Sequence, residues 1–301
     1  MPERVGFVGL GGMGGPMASN LMGAGYEMVL HNRTREKAEK LAAEGAGEVA
    51  DTPREVAERC DVVITMLPGP SEVEAVVSGK DGLFEGMRRD LLVVDMSTSS
   101  PTLARELARR AREHEASMLD APVSGGDVGA QEGTLSIMVG GEEADFERAK
   151  PLFEAMGKTV IHVGPAGAGQ VVKACNQIVV ALVIEAVSEA LVLGSRGGVA
   201  PEKILDILGG GLAGNKVMEV KREKFLSGHF EPGGKVEYHR KDLGIALAAG
   251  REYGVSLPAT TIVDQMFGIL VAQGRGGWDH SALVTLVEDW SRQDTRGQLG
   301  E

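Results

Sequence analysis

The stretch VGFVGLGGMGG, residues 5–15, decides the fold of the first half of the chain. An apolar run at 5–10 predicts a buried strand, and residues 16–22 have the pattern of a helix. Between them the glycine spacing Gly-x-Gly-x-x-Gly permits a tight turn, close approach of the backbone to a pyrophosphate, and close helix–strand packing. N–H groups at the helix amino terminus would bind the anion. The stretch therefore predicts a dinucleotide-binding loop with the candidate contacts Gly9, Leu10, Gly11, Gly12, Met13 and Gly14.

A plain glycine-rich turn is the alternative interpretation of this stretch. The chain has 43 glycines among 301 residues, so such spacings arise easily by chance. The order of strand, glycines and helix favours the binding loop, because the dinucleotide fingerprint requires that context.

The sequence on both sides of the loop repeats the order of strand and helix. Such alternation means parallel βαβ units with helices on both faces of one sheet. It predicts an α/β fold with a Rossmann-type, doubly wound sheet. The predicted strands are 5–10, 27–31, 61–66, 91–96, 136–139 and 159–163, and the predicted helices include 16–22, 35–43, 53–58 and 101–112.

The pattern changes after GPAGAG, residues 164–169. Residues 170–196 contain no proline and no glycine before Gly194, and their apolar side chains run almost all the way round a helix. Such a helix is expected to be buried on most sides. Further helices are predicted at 201–208, 217–226, 241–253, 258–272 and 281–290. We therefore expect a dinucleotide-binding domain at 1–164 and an all-helical domain for substrate binding and dimerisation at 165–301.

Composition and charge exclude several classes of protein. The length of 301 residues favours two domains, and 43% hydrophobic residues are usual for a globular chain. The net charge of −12 argues against a nucleic-acid binder, which normally carries a basic stripe. No uninterrupted run of about 18 apolar residues is present, and the first residues lack a signal-peptide layout. We expect no membrane span and a cytoplasmic location.

The cysteines and histidines show no metal-ligand spacing. Cys60 and Cys175 are far apart, and we expect both to be buried, reduced thiols. The six histidines form no cluster, so no protein-bound metal is predicted.

The end of the second predicted strand indicates which cofactor binds. NAD-binding proteins usually carry Asp or Glu there for the ribose 2′-hydroxyl. Here the residues are Asn32, Arg33 and Thr34, and the first acid is Glu36. An arginine pairs with a 2′-phosphate, which favours NADP over NAD. The alternative is that Arg33 is only a solvated residue at the start of a loop.

Three further stretches carry chemistry. DAPVSGG offers the hydroxyl of Ser124 and the backbone of Gly125 and Gly126 after a short strand. KACNQ places Lys173, Asn176 and Gln177 on one face of the long helix, where a buried ammonium is costly unless it has a role. A lysine whose stem alone is buried is the alternative. HRKDL adds Lys241 and Asp242.

Taken together, these motifs resemble the β-hydroxyacid dehydrogenase family. The resemblance rests on the glycine loop, MLP (66–68), DMST (95–98), DAPVSGG, GAGQVVKACNQ and HRKDL, and it covers about residues 4–290. GGLAGNKV (210–217) and DHSAL (279–283) favour members that act on tartronate semialdehyde over members for 3-hydroxyisobutyrate or for succinic semialdehyde and glyoxylate.

The resemblance implies a role for each matching residue. Lys173 corresponds to the catalytic lysine, which would act as general acid in reduction and general base in oxidation. Ser124, Gly125 and Gly126 correspond to the loop that binds the substrate carboxylate. Asn176 corresponds to a substrate-side amide, and Asp242, beside the matching Lys241, is a further candidate substrate contact. The implied cofactor contacts outside the glycine loop are Asn32, Arg33, Thr34, Leu67, Pro68, Thr98 and Lys241.

The expected activity is reduction of a small carboxylate-bearing aldehyde, or oxidation of the matching hydroxy acid, with NADP. Imine reductases are similar but replace the lysine, so Lys173 argues against that activity. A non-catalytic dinucleotide-binding module is the alternative of another class. We also expect the chain to form a homodimer or homotetramer through its helical domain.

Overall fold

The structure, a computed structural model, describes residues 3–45 and 47–296. By their contacts these residues form two compact units, the first ending at Lys173 and the second beginning at Ala174. The boundary at 164 stays a prediction.

A mixed sheet forms the centre of the first unit. The strand order is β3-β2-β1-β4-β5-β6-β8-β7, and β9 pairs with β8. The strands are β1 (Val5–Val8), β2 (Met28–His31), β3 (Gly47–Val49), β4 (Val62–Thr65), β5 (Leu92–Asp95), β6 (Ser117–Asp120), β7 (Val123–Ser124), β8 (Leu135–Gly140) and β9 (Gly157–Gly164).

Strands β1 to β6 are all parallel, as the alternation predicts, and the fold class is confirmed. Strand β8 runs antiparallel to β6 and β7, so the prediction of parallel units throughout was wrong here. In the connection from β6 to β8, the short strand β7 pairs with β8, and the helix Gly126–Glu132 joins these two strands. The chain reverses direction between β7 and β8, and β8 therefore returns antiparallel to β6.

Helices cover both faces of the sheet and complete two apolar cores. One core contains Phe7, Leu30 and Phe153, and the other contains Val29, Val63 and Val93. The helices of this unit are α1 (Gly14–Gly23), α2 (Arg35–Ala43), α3 (Pro53–Arg59), α4 (Pro70–Ser78), α5 (Leu83–Gly86), α6 (Pro101–Glu113), α7 (Gly126–Glu132) and α8 (Glu143–Met156). Because β1, β4, β5 and β6 are parallel, their carboxyl ends lie at the same edge of the sheet, and the loops that follow them meet there.

The second unit is helical, as predicted. Its core includes Leu191, Phe225, Leu243 and Phe267. The helices are α9 (Ala168–Arg196), which begins in the first unit, then α10 (Pro201–Gly209), α11 (Lys216–Ser227), α12 (Val236–Tyr253), α13 (Pro258–Ala272) and α14 (Leu283–Ser291), with a 3₁₀ turn at His280–Ala282.

Helix α9 is less buried than its apolar pattern predicts. Ile184 and Leu191 face the core, but Val179 is 59% exposed and Leu193 is 76% exposed. Burial on most sides was therefore a wrong prediction for the single chain, which supplies apolar partners for only part of the helix surface.

By length and composition, α9 is also the one helix among the described residues that is apolar enough to cross a membrane. Polar residues interrupt its apolar runs, yet one window of 18 residues has a mean hydropathy of 2.1. Of that window, 33% is buried inside the protein. The helix has no uninterrupted run of about 18 apolar residues, and the absence of a membrane span stays a prediction. The finding is weak support for a span, because core helices of globular domains meet the same criterion.

The two cysteines differ in environment. Cys60 is buried, and burial raises the pKa of its thiol to about 12. Cys175 is exposed, because it lies on the open face of α9, and the prediction of a buried thiol was wrong for it.

Candidate active site

The glycine loop after β1 has the geometry that a dinucleotide requires. Gly9 has φ +100°, and a Cβ atom there would overlap the carbonyl oxygen of Met66. A Cβ atom on Gly14 would overlap the carbonyl oxygen of Gly9, so the helix packs directly on the turn. At Gly11 no atom of the described residues lies within 4 Å of where a Cβ would stand, which leaves space for a ligand against the backbone. The loop and the amino terminus of α1 fit a pyrophosphate.

The other residues of this loop lie around the same turn. Leu10 is buried, and Met13 precedes α1 without a side-chain hydrogen bond to the first turn. Gly12 faces the carboxylate of Asp127, whose Oδ1 would stand 3.6 Å from a Cβ atom on that glycine.

Asn32 connects the glycine loop to the end of β2. Its Oδ1 accepts a hydrogen bond from the backbone N–H of Leu10 at 2.9 Å, and its Nδ2 donates to the carbonyl oxygen of Thr34 at 2.9 Å. Arg33 and Thr34 are exposed beside it. At these three positions a 2′-phosphate would meet the guanidinium of Arg33, and none of the three side chains is a carboxylate that would repel it. The residues therefore fit NADP.

Helix α2 adds two lysines close to the glycine loop, together with the acidic Glu44 that follows the helix. A cavity of about 470 Å³ adjoins Leu10 and Ser19, and Lys37 and Lys40 line it. These two lysines were not predicted from the sequence, although Lys37 lies one helical turn after Arg33.

The loops after β4 and β5 are fixed to each other. The backbone N–H of Leu67 donates to Ser97 Oγ at 2.9 Å, and the N–H of Ser97 donates to Asp95 Oδ1 at 3.1 Å. Thr65 Oγ1 donates to the same carboxylate oxygen at 2.8 Å. Leu67, Pro68 and Thr98 therefore lie on a braced edge of the sheet, where parallel α/β sheets bind ligands.

Lys173 lies against the predicted carboxylate-binding loop. It is 7% exposed, and its Nζ donates a hydrogen bond to the carbonyl oxygen of Val123 at 2.7 Å. Ser124 follows directly. Gly125 and Gly126 have φ of +138° and +64°, conformations that favour glycine, and both are exposed. The ammonium is inside the protein next to the loop, and the alternative of a solvated ammonium does not describe it.

Two buried residues hold this region together and were not identified from the sequence. The carboxylate of Asp120 accepts hydrogen bonds from the N–H groups of Gly167 and Gln170. The side chain of Gln170 in turn donates to the carbonyl oxygen of Ser97 and accepts from the N–H of Ser99, both at 2.9 Å. Burial, with a smaller contribution from the charge of Asp95, raises the pKa of the Asp120 carboxyl to about 6, although the N–H groups of Gly167 and Gln170 act to lower it.

The second unit joins its predicted polar residues in one chain of contacts. Asn176 Nδ2 donates to Gln177 Oε1 at 2.9 Å, and Gln177 Nε2 donates to Asp242 Oδ2 at 2.7 Å. Lys241 Nζ lies 3.1 Å from Asp242 Oδ1. Gln177, which connects the others, was not a predicted site residue. The sequence places it on the same helix face as Lys173 and Asn176, and the structure adds its contact with Asp242 on another helix.

No group of three or more potential metal-ligating side chains occurs in residues 3–45 and 47–296.

Two family models together match nearly the whole chain. Residues 4–164 match the model described as the NAD binding domain of 6-phosphogluconate dehydrogenase. Residues 167–287 match the model described as NAD-binding of NADP-dependent 3-hydroxyisobutyrate dehydrogenase.

Individual proteins match over the same length. The chain is 45% identical over 286 residues to 2-hydroxy-3-oxopropionate reductase of Escherichia coli, covering 95% of this chain and 97% of that protein. It is 37% identical over 293 residues to the NAD-dependent L-serine dehydrogenase of Pseudomonas aeruginosa, covering 95% and 98%. A solved structure of 3-hydroxyisobutyrate dehydrogenase from Mycobacterium tuberculosis with L-serine has a TM-score of 0.85 at 35% identity, covering 95% of this chain and 99% of that chain. These homologues act on small hydroxy acids.

Proposed function

Because the chain belongs to the β-hydroxyacid dehydrogenase family of NAD(P)-dependent oxidoreductases, we propose that it reduces small carboxylate-bearing aldehydes with NADPH. The first candidate substrate is tartronate semialdehyde, which would give D-glycerate. The 45% identity to a 2-hydroxy-3-oxopropionate reductase supports this choice, since that name describes the same aldehyde.

The observation that carries the proposal is the placement of Lys173. Its ammonium is buried and lies 2.7 Å from the carbonyl oxygen of Val123, next to Ser124. An aldehyde whose carboxylate binds the Ser124–Gly126 loop would therefore have a proton donor close to its reacting end.

The protein's task in the reaction is to bind, orient and protonate. NADPH, when bound, supplies the hydride to the carbonyl carbon, and the electron pair of the C=O bond moves to oxygen. Lys173 Nζ gives its proton to that oxygen and forms the alcohol, and the neutral amine then takes a proton from solvent. The positive charge of the ammonium also stabilises the developing alkoxide before the proton moves. In the oxidative direction the neutral amine accepts the proton.

Ser124, Gly125 and Gly126 would select the acid group of the substrate. A hydroxyl and exposed glycine backbone suit a carboxylate, because hydrogen bonds to an ionised acceptor are the stronger kind. Asn176, linked through Gln177 to Asp242, is the proposed amide contact for substrate hydroxyls, and Lys241 is a proposed cofactor contact.

Initial rates with NADPH and NADH against a panel of aldehydes test the proposal. The panel holds tartronate semialdehyde, succinic semialdehyde, glyoxylate and methylmalonate semialdehyde, with L-serine and 3-hydroxyisobutyrate in the oxidative direction. We expect the highest kcat/KM for tartronate semialdehyde with NADPH, and poor turnover of an uncharged aldehyde of similar size. Turnover of the uncharged aldehyde at a comparable kcat/KM would contradict carboxylate selection.

We also propose that the chain works as a homodimer or homotetramer in the cytoplasm. The exposed apolar side chains of α9, Val179 and Leu193 among them, support self-association, because a second copy would remove them from water.

A further inference from the structure

We propose that Asp120 is a positioning residue for the reaction: its carboxylate fixes the first turn of α9 and thereby sets the place of Lys173. The proposal rests on the proposed role of Lys173 as proton donor. Asp120 itself touches neither substrate nor cofactor in this scheme.

The carboxylate of Asp120 acts as an amino-terminal cap that is supplied by a strand. Its Oδ1 accepts from the N–H of Gly167 at 2.7 Å, and its Oδ2 accepts from the N–H of Gln170 at 2.9 Å. Gln170 is in the first turn of α9 and Gly167 directly precedes that turn, and no helical carbonyl is available to either N–H group. The negative charge also lies at the favourable end of the helix dipole.

The packing around this cap leaves little freedom. Gly140 on β8 and Gly169 on α9 both lie against Asp120. A Cβ atom on Gly140 would stand 2.6 Å from Asp120 Oδ1, and one on Gly169 would stand 2.5 Å from the Asp120 carbonyl oxygen. Two glycines thus allow the helix to approach the sheet until the carboxylate meets the backbone N–H groups.

The capped turn leads directly to the lysine. Lys173 lies one helical turn after Gln170, and its Nζ bonds to the carbonyl oxygen of Val123, three residues after Asp120. One five-residue stretch, 120–124, therefore supplies the cap of α9, the hydrogen-bond acceptor of Lys173 and the hydroxyl of Ser124. A shift of α9 against this stretch would move the ammonium relative to the proposed substrate loop.

A charged residue at this position is not the choice that stability alone favours. Asp120 is 3% exposed, and burial of a carboxylate costs free energy. Asn has nearly the same shape and no charge, but only one of its two terminal atoms accepts a hydrogen bond. Two accepting oxygens are what the geometry uses.

Protonation should therefore loosen the cap. A protonated carboxyl keeps one full acceptor and turns the other oxygen into a donor. The ionisable group that acts on Asp120 is Asp95, its neighbour on β5, while its neighbour on β8 is Gly140, which has no side chain. The repulsion from Asp95 and the burial both favour the proton, so the acid limb of kcat should fall near pH 6.

The test compares Asp120→Asn with Asp61→Asn in the full chain. Asp61, which directly precedes β4, is the matched control. Its carboxylate also accepts two hydrogen bonds, one from the backbone N–H of Arg4 at 3.0 Å and one from the Arg88 guanidinium at 2.7 Å. For Asp120→Asn we expect kcat to fall about 10- to 100-fold, the effect of a misplacement of about 1 Å, with the KM for NADPH within about twofold. The acid limb near pH 6 should disappear. Asp61→Asn should keep both kcat and the pH profile.

Two measurements need no turnover. Hydrogen exchange followed by mass spectrometry should be at least about tenfold faster in peptides covering 165–173 of Asp120→Asn, and unchanged there in Asp61→Asn. Lys173 should also react faster with trinitrobenzenesulfonate in Asp120→Asn, as read from its own peptide.

The outcomes separate this proposal from the proposed function. Faster exchange and labelling with a lower kcat support the positioning role. Unchanged exchange at 165–173, or unchanged labelling of Lys173, overturns it, and so does faster exchange with an unaltered kcat and pH profile. If the wild type reduces no aldehyde, the proposed function fails, and exchange with labelling still decides whether Asp120 positions Lys173.

Discussion

Lys173 is the single side chain on which the proposed chemistry depends. Its ammonium is buried, and a buried ammonium without a task would cost stability. We expect Lys173→Ala to lower kcat by about 10²- to 10⁴-fold, the range for a lost general acid. The KM for NADPH should change little, because the glycine loop that would bind its pyrophosphate lies between β1 and α1, whereas Lys173 lies on α9. Steady-state kinetics measure both.

Lys173→Arg is the companion variant. Guanidinium keeps its proton at any working pH, so this variant should also be slow although it keeps the charge. A near-normal kcat for the alanine variant would mean that water or another residue supplies the proton.

Arg33 is the residue expected to read the cofactor's phosphate. It is exposed at the end of β2, beside Asn32, whose side chain is occupied by the Leu10 and Thr34 backbones. We expect NADPH to be favoured at least tenfold over NADH, roughly 1.4 kcal/mol. Arg33→Ala should remove most of that preference by weakening NADPH alone, as measured by kcat/KM for each cofactor.

Arg35 provides the control for this prediction. It is also exposed, but it pairs with Glu39 and Asp51. Arg35→Ala should leave the cofactor preference intact. Equal losses for NADPH and NADH in Arg33→Ala would show that Arg33 does not bind the 2′-phosphate.

Asp120 should make the stability of the chain depend on pH. Its pKa is about 6 in the folded chain, against an ordinary value of 3.8, so the folded state binds this proton more tightly than the unfolded state. Its contribution to the free energy of unfolding is therefore greatest below pH 4 and is lost as the pH rises through 6. Two pH units correspond to about 3 kcal/mol. The free energy of unfolding of Asp120→Asn minus that of wild type should therefore rise by about that amount between pH 4 and pH 7. Urea unfolding at each pH measures this difference.

Asp61 should show the opposite sign. Hydrogen bonds from the Arg4 backbone and from Arg88 hold the pKa of its carboxyl below the ordinary value. Its contribution to the free energy of unfolding is present above the unfolded pKa and is lost as the pH falls through the folded pKa.

The Asp120 prediction would be contradicted if the free energies of unfolding of Asp120→Asn and wild type changed with pH in parallel. That result would mean that the proton does not bind at Asp120.

At the level of elements, the contact between α9 and the sheet can be tested with one methyl group. A Cβ atom on Gly169 would stand 2.9 Å from Asp120 Oδ2 and overlap the carbonyl oxygen of Met138. Gly169→Ala should therefore lower the free energy of unfolding by about 1–3 kcal/mol, as overpacking does. Thermal and urea unfolding measure the change.

Gly244 in α12 is the matched control. Within the part of the chain that the structure describes, no atom lies within 4 Å of its Cβ position. Gly244→Ala should therefore raise the free energy of unfolding by about 0.5–1 kcal/mol, the usual gain in a helix. Two glycine-to-alanine changes in helices should thus have opposite signs. A gain in both would mean that α9 has room to move away from the sheet.

The elements also show what the sequence could and could not predict. Gly9 and Gly14 were predicted with their roles, because a strand, a turn and a helix within ten residues define them. Asp120 was missed, because its partners Gly167 and Gln170 are 47 and 50 residues away. The antiparallel direction of β8 was missed for a similar reason: pairing direction depends on the path of a connection, and no apolar pattern records it.

For the molecule as a whole, α9 provides the test of assembly. Leu193 is 76% exposed and Val179 on the same helix is 59% exposed, and in the proposed assembly a second copy would cover both side chains. Leu193→Glu should shift sedimentation velocity from a dimer or tetramer towards a monomer at micromolar concentration. A wild-type chain that sediments as a monomer at all concentrations would contradict self-association.

Ile161 on β9 is the control for that variant. It is 54% exposed in the first unit, and Ile161→Glu should leave the sedimentation coefficient unchanged. Equal dissociation by both substitutions would place the interface elsewhere or indicate general destabilisation.

The order in which the ribosome makes the chain gives the Asp120 cap a further consequence. Domains fold amino-terminal part first during translation, so β6 and β8, with Asp120 and Gly140, leave the exit tunnel before α9 does. When the apolar residues of α9 emerge, they have no completed helical core and are the segment most exposed to chaperones or to aggregation. The finished sheet already offers a docking point for the first turn of that helix. The nascent chain can therefore anchor this long apolar helix before the rest of the second unit has been synthesised.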